Sequence, residues 1–143
     1  MANDCSTLRV ALVDDDESVR RALRRVLRLD GLSVETFGTA SEFMESCPDV
    51  RFDCLVLDVH LGGISGLELL QRLRKLGCPV PVVIITAHDD AAKREKAGAL
   101  SASAYLCKPF ENSVFLDAVH VAVAAHPGHR EACPLRGPEG LQI

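Results

Sequence analysis

Asp14, Asp15 and Asp16 form one acidic run, and further along the chain stand Asp58, Thr86 and Lys108, each at or just past the end of an apolar stretch. In an open parallel sheet, ligands bind outside the carboxyl ends of the strands, so these polar residues converge at one edge if the stretches are neighbouring strands. Carboxylates gathered there repel one another unless a cation lies among them, and hard oxygen ligands that leave room for water suit Mg2+. Counting Asp14, Asp15 and Asp58 as three negative charges and Lys108 as one positive leaves two negative charges, which one divalent ion neutralises. A carboxylate nucleophile carries no proton at neutral pH and needs no general base. Phosphoryl transfer to it needs in-line positioning and charge stabilisation, which a metal, a lysine and a hydroxyl supply.

The elements that must position these groups are legible in the hydrophobic pattern. Leu8–Val13, Ser33–Phe37, Cys54–Leu57, Val80–Thr86 and Ala104–Cys107 read as five strands, alternating with helical segments. In the first helix Val19, Ala22, Leu23, Val26 and Leu27 share one face and Arg20, Arg21, Arg24, Arg25 and Arg28 the other, a basic face of the kind usually left to solvent. Thr39 with Glu42, and Ser65 with Glu68, match the reciprocal capping box that opens a helix. Gly77 offers a helix stop before Pro79 and Pro81. A fourth helix around 91–100 has an apolar stripe made mostly of alanine, and a fifth runs from about Glu111 to Ala125. Alternating strands and helices, with nearly continuous hydrophobic strands, predict a doubly wound five-stranded parallel α/β sheet with five helices on its two faces. Periodicity leaves the strand order open.

Bulk properties agree with one ordinary domain: 143 residues, 48% hydrophobic, 25% charged. A formal charge of −4 gives no whole-domain footprint for nucleic acid, and direct nucleic-acid binding is not expected. No apolar run reaches membrane-spanning length and residues 1–7 lack a signal core, so the expected location is the cytoplasm, away from the membrane. The six cysteines form no CxxC pair, and several sit in strand-like runs, as reduced structural thiols do. Residues 1–7 read as an extension and 8–125 as the domain. From His126 the text HPGHREACPLRGPEGLQI, with three prolines and three glycines, reads as a flexible tail or linker.

Four segments in order, LVDDDESVRRAL, LVLDVHLGGISGLELL, VVIITAHDD and AYLCKPF, resemble the receiver domain of two-component response regulators over roughly residues 8–125. The resemblance implies a flavodoxin-like fold with strand order 2-1-3-4-5. It implies Asp58 as phosphoacceptor and Asp14 with Asp15 as the acidic pair, Asp15 binding Mg2+ directly beside the backbone carbonyl of His60. Thr86, the Ala87 amide and Lys108 would hold the phosphoryl oxygens, Tyr105 would be the switch aromatic, and the Lys108–Pro109 bond would be cis. The implied partner is a sensor histidine kinase or phosphotransfer protein. The implied output is a rearranged surface of helix four, strand five and helix five.

Two departures from the family pattern stand out. Leu61-Gly62-Gly63-Ile64-Ser65-Gly66 lacks the proline that usually follows the phosphoacceptor, so this loop should be more mobile. Ser101-Ala102 replaces the usual Gly-Ala after helix four, where a non-glycine residue in a left-handed cap costs on the order of 1 kcal/mol. His60 and His88, each two residues past an active position, fall where the family tunes phosphoryl lifetime. Cys107 reads as packing. Helix five carries more apolar residues than one buried stripe uses, from Val114 to Ala125, so phosphorylation is expected to promote self-association, as a homodimer, or partner binding through it. A haloacid-dehalogenase-type phosphatase would need an acid where His60 stands, and an FMN-binding module would need a hydroxyl-rich loop where three aspartates stand. A pseudo-receiver that binds without phosphorylation keeps the fold and sets aside the chemistry.

Overall fold

The computed structural model describes residues 8–46 and 51–125. The expected extension at 1–7 and tail at 126–143 lie outside the described residues, as do Cys5, Cys47 and Cys133. Five strands, β1 (Arg9–Val13), β2 (Ser33–Phe37), β3 (Cys54–Asp58), β4 (Val82–Thr86) and β5 (Ala104–Cys107), alternate with α1 (Glu17–Leu29), α2 (Ala40–Ser46), α3 (Gly66–Lys75), α4 (Ala91–Ala99) and α5 (Asn112–Ala124). All neighbouring strands pair in parallel, in the order β2-β1-β3-β4-β5. The break in sequential order falls at β1 and β3, whose carboxyl ends carry Asp14 and Asp58.

Alternation along each strand divides the interior in two. Ala11, Val13, Leu55, Leu57, Val82 and Ile84 face α2, α3 and α4, while Val10, Leu12, Val56, Val83 and Ile85 face α1 and α5. Successive side chains on a strand point to opposite faces, so a strand buried on both sides must be apolar at every position. The grip on the helices is uneven. Helix α3 buries Leu67, Leu69, Leu70 and Leu73, each worth about 1.5–3 kcal/mol, whereas α4 buries Ala97 alone.

Several local expectations need correction. β4 begins at Val82 instead of Val80, because Pro81 has no N–H to donate to a ladder, although its carbonyl still accepts from Leu55 N at 2.9 Å. β3 extends one residue to include Asp58, opposite Ile85. Ala22 is exposed, since it lies about 100° round the helix from Leu23, and the stripe that packs is Val19, Leu23, Val26 and Leu27. Arg20 leaves the basic face and donates to the Asp14 carbonyl at 2.7 Å. At α2 the capping box is half formed: Thr39 Oγ1 accepts from Glu42 N, but the Glu42 carboxylate reaches Gly38 N, one residue before the cap. At α3 Ser65 and Glu68 form both bonds of the box.

Three helices close with the same wrap-around bond, Leu32 N to Leu27 O, Cys78 N to Leu73 O and Ala102 N to Ala97 O. It requires a residue at positive φ, supplied by Gly31 at 91° and Gly77 at 81°, but by Ser101 at 64° after α4. The left-handed cap expected at Ser101 is therefore present, with its steric cost. The Lys108–Pro109 peptide is cis, as the resemblance implies.

Candidate functional site

The carboxyl edge of β1, β3, β4 and β5 gathers the residues singled out by type. One carboxylate oxygen from each of Asp14, Asp15 and Asp58 lies within 4.8 Å of the others, the one such group of three metal-ligating side chains among the described residues. Asp14 and Asp58 are buried and Asp15 is exposed, so the cluster has an inner wall and an open rim. Asp16 does different work, capping α1 by accepting from Ser18 N and Val19 N.

Each buried carboxylate is held. Asp14 Oδ1 accepts from Asp16 N at 2.9 Å, and its Oδ2 accepts from Lys108 Nζ at 3.0 Å. Asp58 Oδ1 accepts from His60 N at 3.2 Å, and Lys108 Nζ stands 3.5 Å from its Oδ2. One ammonium thus serves two buried carboxylates. Burial would push the Lys108 ammonium down, but its bond to Asp14 and the charge of Asp58 outweigh that, and its pKa is raised. For Asp58, burial first and the Asp14 charge second overcome Lys108 and the His60 amide, and its pKa rises to about 6. The site is short of positive charge, and its hard oxygen donors fit a divalent cation of the Mg2+ class.

Thr86 is fully buried at the end of β4, with its hydroxyl turned to its own loop. Its Oγ1 donates to His88 O at 3.1 Å and accepts from His88 N at 3.2 Å. Ala87 follows it, exposed. Tyr105 sits opposite Ile84 in the sheet and packs toward the α4 side, its ring under the Arg94 guanidinium at 4.6 Å. The Tyr105 hydroxyl is enclosed with no hydrogen-bond partner among the described residues, and burial, followed by the charge of Asp89, raises its pKa. His60 and His88 are both exposed and their rings meet edge to face, centroids 5.7 Å apart. Cys107 is half-buried and unbridged, its thiol 3.6 Å from the Lys108 carbonyl, while burial drives the unbridged Cys54 thiol up to about 12.

Two contributors were not assigned from the sequence. A Cβ on Gly66 would stand 2.1 Å from the Asp58 carbonyl oxygen, so the chain end of β3 and the start of α3 can meet only through glycine. Its place just after a helix cap was the available hint. Arg74 donates to four carbonyls, those of Leu100, Cys78, Val80 and Ser101, at 2.8–3.2 Å. No pattern in the sequence marks that role.

A doubly wound sheet with an acidic trio and a lysine at its switch point defines the receiver class of signalling domain. The chain belongs to the response regulator receiver domain family, whose model matches residues 10–120. It is 42% identical over 124 residues to nodulation protein W of Bradyrhizobium diazoefficiens, covering 86% of this chain and 54% of that protein. It is 38% identical over 116 residues to the transcriptional regulatory protein FixJ of Rhizobium meliloti, covering 79% and 55% respectively. The chain spans about half the length of the curated relatives it matches. Among solved structures, the response regulator StyR superposes with a TM-score of 0.79 at 41% identity, over 88% of this chain and 64% of that one. A CheY-like receiver domain from Methanospirillum hungatei superposes at 0.80 with 23% identity, over 85% of this chain and 97% of that one, a likeness of fold. Receiver domains are regulatory modules of two-component signalling, and the phosphatase and flavin alternatives fall away. Among the described residues, no helix is long and apolar enough to cross a membrane.

Proposed function

We propose that this domain accepts a phosphoryl group on Asp58 from a histidine kinase or phosphotransfer protein, in a Mg2+-dependent reaction, and relays the change to its α4-β5-α5 surface. The carrying observation is the meeting of the Asp14, Asp15 and Asp58 carboxylates within 4.8 Å, with Lys108 Nζ 3.5 Å from Asp58. Asp14, Asp15, Asp58 and the His60 carbonyl would hold Mg2+, which when bound supplies positive charge to the phosphoryl oxygens and to the acidic trio.

In the transfer step, an ionised Asp58 oxygen attacks the donor phosphorus. An O–P bond forms as the bond from phosphorus to the donor's nitrogen or acyl oxygen breaks, and that electron pair leaves with the donor. Lys108, already shared between Asp14 and Asp58, can follow the charge onto the phosphoryl group. The Thr86 hydroxyl and the Ala87 amide would take the remaining oxygens. For Thr86 this means giving up the bond it donates to His88 O, so that phosphoryl capture remodels the β4-α4 loop. With Thr86 drawn in, the half-buried Tyr105 ring would repack against α4. Hydrolysis of the acyl phosphate by water at the open rim would reset the domain.

Exposed Val114 and Val121 on α5 lend support to regulated self-association through that helix. Intact-mass measurement after incubation with acetyl phosphate and Mg2+ tests the central claim. One phosphoryl adduct is expected in the native chain and none in Asp58→Asn, and an adduct that persists in the variant would refute the assignment. Light scattering with and without beryllofluoride tests the surface: equal masses in both states would count against self-association.

A further inference from the structure

The proposed phosphoryl chemistry uses the backbone of His60 and leaves both exposed imidazoles, His60 and His88, without a task. β3 and β4 are adjacent and parallel, with Asp58 opposite Ile85, so the loops that follow them emerge side by side. They bring the two rings to a centroid separation of 5.7 Å, almost perpendicular at 84°. Neither ring makes a hydrogen bond among the described residues, and both are open to solvent. Two imidazoles at this separation can each turn a nitrogen toward a common point.

We propose that His60 and His88 form a second metal site, distinct in kind from the acidic trio, that takes a borderline divalent transition metal such as Zn2+ or Ni2+. Ligand type separates the two sites. Carboxylate and carbonyl oxygens suit Mg2+, whereas imidazole nitrogens suit zinc, nickel and copper. The excess negative charge of Asp14, Asp15 and Asp58 beside the pair favours any cation at this rim. Two protein nitrogens leave the remaining positions to water, so the site is open and its affinity modest.

The position of the pair gives binding a consequence, and this half rests on the function proposed above. His88 is the residue whose backbone engages both the donor and the acceptor capacity of the Thr86 hydroxyl. An ion bridging His88 to His60 would hold that turn closed and keep Thr86 from the phosphoryl oxygens. Transition metal would then oppose phosphorylation while Mg2+ supports it.

Calorimetric titration of the full chain with Ni2+ in excess Mg2+ tests the site, comparing native protein with His60→Ala, His88→Ala and the double variant. One site is expected in the native chain, weakened about tenfold or more by either single change, with the second change adding little because one ion needs both rings. Unchanged affinity in the variants, or losses that add independently, would overturn a shared site. Phosphorylation by acetyl phosphate and Mg2+, followed by intact mass, tests the consequence. Ni2+ should slow adduct formation in the native chain and not in His88→Ala; binding to the pair without slowing would refute the clamp. No adduct under any condition would instead count against Asp58 as acceptor, while the titration would still decide the metal site.

Discussion

Replacing Asp58 by asparagine should make the metal-free protein more stable, although it removes the proposed phosphoacceptor. The carboxyl is buried at 4% exposure and its pKa is raised from 3.8 to about 6. A raised carboxyl pKa means that the folded state holds the proton more tightly than the unfolded chain, so stability falls as pH rises from the unfolded value through about 6. At pH 7.5 the full shift is expressed, and at about 1.36 kcal/mol for each unit the ionised group costs about 3 kcal/mol. At pH 5 the folded state is mostly protonated, and the same linkage gives about half as much. These values already contain the attraction of Lys108 at 3.5 Å, which offsets part of what burial and Asp14 impose on the ionised carboxyl. Urea denaturation in EDTA should therefore show Asp58→Asn more stable by about 1–3 kcal/mol at pH 7.5, with the gain roughly halved at pH 5. Added Mg2+ should shrink the difference further, by stabilising the native chain through binding. A variant no more stable than the native chain at pH 7.5, or a gain that does not fall toward pH 5, would refute the account of a charge-starved site.

Three further substitutions test other parts of the structure. Lys108→Met leaves the fully buried Asp14 without its cation and should cost about 2 kcal/mol in metal-free urea denaturation, partly recovered by Mg2+. Gly66→Ala forces a methyl into the Asp58 carbonyl, so unfolding should come about 2 kcal/mol earlier and Mg2+ affinity should fall as the β3 end shifts. Ser101→Gly should raise stability by about 0.5–1 kcal/mol in the same assay, because the cap already holds φ at 64°.

What could be read beforehand was whatever repeats along the chain. Strands buried on both faces are apolar along their length, so the third and fourth strands announced themselves as Cys54–Leu57 and Val80–Thr86, near the observed Cys54–Asp58 and Val82–Thr86, and the polar residues that end them followed at once. The strand order and the roles proposed for Asp14, Asp58 and Lys108 came from resemblance to a family, since periodicity does not say which strands adjoin. Contacts made by one side chain reaching across the fold left no trace. Arg20 was one basic residue among five until the chain folded back to bring the Asp14 carbonyl to it. The meeting of His60 with His88 depends on β3 lying beside β4 and on the course of two loops, neither of which is local information.

Arg74 has a mechanical meaning. Its guanidinium ties the carboxyl end of α4, through the Leu100 and Ser101 carbonyls, to the entry of β4, through Cys78 and Val80. Among the described residues, the opposite end of α4, beginning at Ala91 just past Thr86 and His88, is held to the sheet by the Arg94 guanidinium over the Tyr105 ring in place of four hydrogen bonds, and Ala97 is the helix's one buried residue. Such a helix is a lever with its fulcrum at the far end. A small turn about Arg74 sweeps the tip that follows the Thr86–His88 turn through the widest arc, so displacement there is gained without loosening the sheet. Amide hydrogen exchange along α4 would register this as a gradient, fastest near Ala91 and slowest near Ala97, and cutting Arg74 back to lysine would flatten it.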